Sequence, residues 1–214
     1  MGLAIVILLG ICGVLFYIIW KSSQKSESQR KTSSWKPYSK DEPRIENVEA
    51  GGVIHLVNIG PNLDEFDVNI IAKHVYRKGV DTWYELEGES ADGKVWIDME
   101  EDDGVELAIT LKRLKLRDIG VSKRDLERMD EEEDGEIEYQ GETYYYEESD
   151  SAMFYRYGNE EEGESLYYWD FENEEGTKFI GIERWSDGSY DVSYSETIEP
   201  WQVTVYSIGK QKGE

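Results

Sequence analysis

Apolar and polar residues alternate along most of the chain after residue 44, which is the period of a half-buried β-strand. The clearest runs have the apolar members Val95/Ile97/Met99, Val105/Leu107/Ile109/Leu111, Tyr167/Trp169/Phe171, Tyr190/Val192/Tyr194 and Trp201/Val203/Val205. Asp-Gly pairs at 92–93, 103–104 and 187–188 separate such runs, and this pair readily adopts the positive φ of a hairpin turn. The sequence therefore predicts a mainly β fold built from antiparallel meanders.

An internal repeat divides these strands into two groups. Residues 83–100 resemble residues 166–183, so that Tyr84 aligns with Tyr167 and Gly93 with Gly176. We interpret this as two similar β sub-domains, at 44–115 and 135–208, while convergence on a common hairpin pattern remains the alternative.

A short helix is predicted between the two groups, in the linking segment 116–134. Ser122 followed three residues later by Asp125 is typical of a capping box, and Leu126 and Met129 then share one helical face. The acidic run at 130–136 is predicted to be a solvated loop.

The N-terminus predicts a membrane anchor. Residues 2–20 contain no charge, and at about 1.5 Å per residue they span roughly the 30 Å hydrocarbon core. A cleaved signal peptide is disfavoured because no charged residue precedes Lys21 and because residues 16–20 are bulky. We expect a transmembrane helix over 1–20 and a flexible tether over 21–43.

Charge predicts the orientation of this anchor. Residues 21–40 carry six basic residues and one acidic residue, a balance of +5, and basic residues beside a span are retained in the cytoplasm. The sequence predicts a single-pass protein of the inner (cytoplasmic) membrane, with its N-terminus outside and its β domain, ending in a tail at 209–214, inside. Because the whole chain carries −24, residues 41–214 carry −29.

So acidic a domain is unsuited to nucleic acid, whose phosphates require clustered Lys and Arg. A charged partner is expected to be basic, whether a membrane-associated protein or a small cation. The aromatic content, 15 Tyr, 7 Trp and 5 Phe, supplies enough apolar surface for a folded core.

Candidate chemistry is sparse. Asp130, Glu132 and Asp134 imitate the start of a calcium-binding EF-hand loop, but position 12 of that loop, which requires Glu, is Gly141. These three residues are a weak metal candidate. The sequence offers no recognisable catalytic motif and no cofactor motif, so neither a catalytic residue nor a cofactor is predicted.

Four segments carry a resemblance to a known family. They are GETYYYEES (141–149), YYWDFENEEG (167–176), IERWSDGSYDV (182–192) and EPWQVTVY (199–206). Together with the first half, they make residues 44–208 resemble the bacterial family called domain of unknown function 4178 (DUF4178). The resemblance implies a β-rich domain of uncharacterised activity, sometimes encoded near genes for membrane stress and polyamine metabolism.

These observations favour a membrane-anchored protein-interaction or scaffold module linked to membrane stress. A sensor of a small cation such as a polyamine or calcium is one alternative, and an unrecognised hydrolase is another.

Overall fold

The computed structural model describes residues 42–101 and 104–209, which form one antiparallel β-sheet and one α-helix. The elements in chain order are β1 (Val53–Ile59), β2 (Asp64–Lys78), β3 (Asp81–Ser90), β4 (Gly93–Glu101), β5 (Val105–Leu114), α1 (Lys123–Glu132), β6 (Glu136–Tyr139), β7 (Glu142–Tyr155), β8 (Gly163–Asn173), β9 (Lys178–Trp185), β10 (Tyr190–Ile198) and β11 (Val203–Ser207). Four short 3₁₀ turns, at Ile45–Asn47, Leu116–Asp118, Arg156–Gly158 and Pro200–Gln202, complete the described chain. The predicted mainly β, antiparallel class with one helix is confirmed.

The alternating runs become strands with the expected buried faces. Val95, Ile97 and Met99 are buried along β4, because every second side chain of a strand points toward the same core. The last run differs from the prediction. Trp201 lies in a 3₁₀ turn and is 65% exposed, since Pro200 has no N–H to donate to a ladder and starts the turn instead.

Helix α1 begins at the predicted cap. The Asp125 N–H donates to the Ser122 side chain at 3.3 Å and Ser122 N–H donates back to Asp125 at 2.9 Å, the reciprocal pattern of a capping box. The helix continues to Glu132, three residues into the run predicted as loop. Its last turn is extended by the ion pair between Arg128 and Glu132, four residues apart at 2.8 Å.

The strands close into a ring. The order in the sheet is β11-β1-β2-β3-β4-β5-β10-β9-β8-β7-β6, and β2 also pairs with β7. That additional pairing, at Val75–Tyr155, Tyr76–Phe154 and Arg77–Met153, joins the two meanders at the side opposite the β5–β10 ladder. Eight strands, β2 to β5 and β7 to β10, therefore form a closed ring, with β1, β11 and β6 appended outside it.

Two apolar cores lie on the outer faces of this ring. The first is covered by β1 and β11 and contains Leu56, Leu86 and Ile97. The second is covered by α1 and β6 and contains Leu126, Trp169 and Ile180. Equivalent positions of the internal repeat, Leu86 with Trp169 and Ile97 with Ile180, are thus buried in different cores.

A third, smaller cluster of aromatic side chains lies between the halves, beside the β2–β7 pairing. Tyr76, Phe154 and Tyr168 are buried in it, with Trp83 and Trp185 packed against them. At this junction, the two halves of the sheet therefore meet through the face that lies opposite the two large cores.

The predicted membrane span at 2–20 and most of the tether lie outside the described residues. Within 42–101 and 104–209, none of the helices has the length and apolar character needed to cross a bilayer.

Candidate functional site

Four carboxyl groups on the inner face of the ring, here called the carboxyl cluster, are Glu85 on β3, Asp98 on β4, Asp170 on β8 and Glu183 on β9. Each lies one residue from side chains of an outer core, such as Leu86 beside Glu85 and Ile182 beside Glu183, so alternation directs it to the opposite face. Glu85 is 9% exposed and the other three are partly buried.

The carboxyl groups are close enough to influence one another. Glu85 and Asp98 are direct partners in the β3–β4 ladder, a position in which like charges destabilise a sheet. Asp98 also acts electrostatically on Asp170 and Glu183 from the other half of the ring. The closed ring therefore gathers four acidic groups that are far apart in sequence.

One guanidinium and one phenol offset this charge. Arg113 on β5 places Nη2 3.5 Å from Oε2 of Glu85 and stacks its guanidinium 4.5 Å from the centre of the Trp96 ring. The buried Tyr76 side chain makes a hydrogen bond with Glu183. Lys78 also acts on Asp170, but these two cations leave the cluster with a net negative charge if all four groups are ionised.

Enclosure changes the protonation of the cluster. Burial, followed by repulsion from Glu148, Glu183 and Asp98, raises the pKa of Asp170 to about 8. Burial raises the pKa of Glu183 to about 7 and of Asp98 to about 6, with Arg113 opposing both shifts. Burial also raises the pKa of Glu85, again against Arg113. The cluster therefore holds protons near neutral pH, because removing ions from water disfavours the charged form.

A hydrogen-bonded triad lies at the β2–β7 side of the cluster. Lys78 Nζ donates to Glu148 at 3.0 Å and to the Tyr168 hydroxyl at 2.8 Å, and that hydroxyl donates to the other oxygen of Glu148 at 2.8 Å. Burial and the adjacent Glu148 raise the pKa of Tyr168, so it remains a neutral donor. The triad ties the two halves together where β2 meets β7.

His74 is a second buried link between the halves. It is 1% exposed, its Nδ1 accepts from the Tyr157 N–H at 3.1 Å, and its Nε2 lies 3.2 Å from Glu87. Because Nδ1 accepts, Nε2 carries the proton and donates to Glu87. Burial lowers the pKa of His74, which keeps the ring neutral. Nδ1 therefore holds the turn after β7 against β2, and Nε2 joins β2 to β3.

The chemistry available inside the ring is that of carboxyls beside aromatic rings. Tyr76 stacks on Trp83 with ring centres 5.3 Å apart, and Trp83 approaches Tyr168 at 6.1 Å. Carboxylates and aromatic faces are the groups that recognise organic ammonium ions. The same carboxyls can exchange protons with water around neutral pH.

The three residues of the weak metal candidate, Asp130, Glu132 and Asp134, do not share one site in the structure. Asp130 accepts hydrogen bonds from Ser149 and, at 2.7 Å, from the Tyr167 hydroxyl, so it fastens α1 to β7 and β8. Glu132 pairs with Arg128 on the helix surface, and Asp134 is exposed beyond the helix end. Within 42–101 and 104–209, no three acidic, His or Cys side chains converge in an arrangement suited to a metal ion.

Sequence reasoning missed the carboxyl cluster. In an isolated half-buried strand, Glu85, Asp98, Asp170 and Glu183 occupy the positions that would face water. The available signal was the repeat itself, which gives both halves acidic residues on the face opposite the core. Only ring closure converts that face into an interior.

A known family matches most of the described chain. The family described as domain of unknown function (DUF4178) matches residues 62–200, which covers β2 to β10 and the whole carboxyl cluster. No curated protein matches the chain, and no solved structure matches it.

Because the carboxyl cluster holds protons near neutral pH, we predict that the free energy of unfolding decreases as the pH rises from 6 to 9. A folded pKa of about 8 for Asp170, against about 3.9 when unfolded, favours folding of the protonated form. That contribution is complete below the unfolded pKa and is lost as the pH passes the folded pKa. Ionisation of Asp170 alone should lower the free energy of unfolding by about 2–3 kcal/mol between pH 6 and pH 9.

Asp170→Asn should remove the contribution of Asp170 to this pH dependence. The free energy of unfolding of the variant, relative to that of the wild type, should therefore be higher at pH 9 than at pH 6. Chemical denaturation at several pH values measures it. Asp81→Asn, at an exposed position, is the matched control and should leave the pH profile unchanged. Parallel profiles for wild type and Asp170→Asn would contradict an enclosed carboxyl at this position.

Proposed function

We propose, from the premise that the chain belongs to the domain of unknown function 4178 family, that it is a membrane-anchored interaction module whose acidic β domain binds a basic or membrane-associated protein. The observation that carries the proposal is the order of charge along the chain. An uncharged stretch of residues 2–20 precedes a basic tether of +5, and an acidic region of −29 follows. Such an order suits an anchor, a spacer and a binding domain.

The localisation is part of the proposal. The N-terminal helix crosses the inner membrane once, with residue 1 outside, and the tether keeps the β domain on the cytoplasmic side because basic residues beside a span resist translocation. The anionic lipid surface repels the acidic domain but attracts the basic tether. The domain is thereby held near the membrane with its surface available to proteins.

Exposed aromatic side chains support a binding role for that surface. Trp201 is 65% exposed and Tyr206 is 59% exposed, and such residues are enriched among those that dominate binding energy at protein interfaces. Acidic side chains distributed over the surface would favour a cationic partner and increase the association rate.

Cysteine labelling in intact cells tests the orientation. In a Cys12→Ser background, Glu131→Cys places a thiol at an exposed position of α1. A membrane-impermeant maleimide should label it only after the membrane is permeabilised. Gly2→Cys is the control and should be labelled from outside in intact cells. Labelling of Glu131→Cys in intact cells would contradict the proposed orientation.

A second candidate function, binding of a small organic cation such as a polyamine, is favoured by the carboxyl cluster. Its carboxyls lie beside Tyr76, which stacks on Trp83, and Arg113 and Lys78 are the opposing charges that act on them. A polyammonium ligand would replace the protons held by the cluster and would restore charge balance. Binding should therefore be stronger at a pH where the carboxyls are ionised.

Thermal unfolding of the detergent-solubilised full chain with spermidine tests this candidate. At about 0.15 M salt, where diffuse attraction is screened, spermidine should raise the midpoint more at pH 8.5 than at pH 6. A concentration of about 100 times Kd corresponds to roughly 2.7 kcal/mol of stabilisation.

Glu85→Gln/Glu183→Gln should abolish the shift. Glu174→Gln/Glu175→Gln, which makes the same change of charge in the exposed β8–β9 turn, should retain it. Equal shifts in the two double variants would assign the effect to surface charge and would reject the site in the ring.

A further inference from the structure

The two ends of the eleven-stranded sheet differ in chemistry. Among the described residues, β6 pairs only with β7 and β11 pairs only with β1, so each presents one unpaired side. β6 carries Glu136 and Glu138, both exposed, and charges on an edge strand oppose addition of further strands. β11 reads Val-Thr-Val-Tyr-Ser and carries no charge. Although 33% of the residues of the chain are charged, β11 has none. The β6 edge is therefore protected against the addition of a further strand, and the β11 edge is not.

A cavity lies at the C-terminal end of β11. It is an open depression of about 750 Å³, lined by Pro43, Ala50, Gly51 and residues 206–209. The turn at 49–52 closes one side of it, because the Glu49 N–H donates to the Ile208 carbonyl at 2.8 Å. Because Tyr206 and Ser207 of β11 line this cavity, a strand placed alongside β11 would end beside it.

The opposite end of β11 presents an indole. Trp201 is held in the preceding turn, where Gln202 donates to the carbonyls of Val57 and Asn58 at 3.1 and 3.0 Å. Five residues of β11 span about 17 Å. The edge, here called the β11 edge, thus offers an aromatic anchor at one end, a backbone ladder along its length and a cavity at the other end.

Acidic groups flank this uncharged edge. Glu199 is exposed beside Trp201, and Glu42 and Glu49 are partly exposed beside the cavity. Together with the −29 of residues 41–214, they disfavour an acidic ligand and favour one with Lys or Arg at its ends. A second copy of the same acidic domain is disfavoured by the same charge.

We propose that the β11 edge is the docking site of this module and takes an extended, basic segment of a partner protein as a twelfth strand. This inference rests on the proposed interaction function and specifies its partner. Main-chain hydrogen bonds to β11 supply affinity, as in other strand-addition complexes. An apolar side chain in the cavity and terminal Lys or Arg residues supply specificity. The partner segment therefore alternates apolar and polar residues between basic ends.

Binding of a synthetic peptide to the full chain in detergent tests the docking site. The probe is the eight-residue peptide Lys-Val-Thr-Val-Thr-Val-Tyr-Lys, and its analogue with Glu in place of both Lys is the charge control. The basic peptide should bind at least about tenfold more tightly, since like charges across an interface oppose binding. Hydrogen exchange should show that the peptide slows exchange of β11 amides and leaves β6 amides unchanged.

Thr204→Lys/Tyr206→Lys, at two exposed positions of β11, should weaken binding of the basic peptide about tenfold or more. Loss of the Tyr206 stack on His55, whose ring centres are 5.6 Å apart, should lower the thermal midpoint only slightly. Glu136→Gln/Glu138→Gln makes the same change in net charge at the β6 edge and should alter binding by less than about threefold. The larger effect is expected because the two lysines on β11 repel the basic peptide at short range. The smaller effect is expected because salt screens the change of charge at the distant β6 edge.

Three results would overturn the docking site. Equal weakening by both double variants would indicate diffuse charge attraction. Binding that appears only after deletion of residues 21–41 would assign the edge to the chain's own tether. A dimer that dissociates in Thr204→Lys/Tyr206→Lys would assign it to a second copy. If any of these occurs while a basic membrane protein still cross-links to the wild-type chain in native membranes, the interaction function stands and only its location is wrong.

Discussion

The pairing of β2 with β7 is the constraint on which the rest of the structure depends. Without it, two antiparallel meanders joined at β5 and β10 would each bury one face and leave the other in water. With it, eight strands close on themselves, and the second face becomes an interior. The polar residues of that face must then be accommodated by hydrogen bonds, by Arg113 or by retained protons.

The side chains at this junction show how the closure is held. His74 binds the turn after β7, and Lys78 joins Glu148 to Tyr168, so the polar groups nearest the seam are paired. Tyr76 and Phe154 fill the space between them. The carboxyl cluster, farther along the inner face, has Arg113 as its principal counter-charge and remains the acidic part of the interior. Stability and any affinity for cations are therefore properties of the same groups.

Local features of the fold were predictable from the sequence because they depend on neighbouring residues. The strand alternation of β4 and β5 and the Ser122 cap follow from period and capping chemistry. Ring closure was not predictable from the sequence, since the β2–β7 contacts join residues about eighty positions apart and no local pattern encodes them. For the same reason, Asp98 and Asp170 read as solvent-facing residues. Asp130 was part of a weak metal candidate in the sequence, and in the structure it accepts hydrogen bonds from Ser149 and Tyr167.

Carbon-13 NMR titration of the Asp and Glu side chains tests the enclosure of the carboxyl cluster most directly, because it reports each group separately from global stability. Asp170 and Glu183 should change at about pH 8 and about pH 7, well above the usual range of a carboxyl in water. Titration of all four cluster carboxyls near pH 4, the ordinary value of a carboxyl in water, would show that water reaches them freely and would contradict the closed ring.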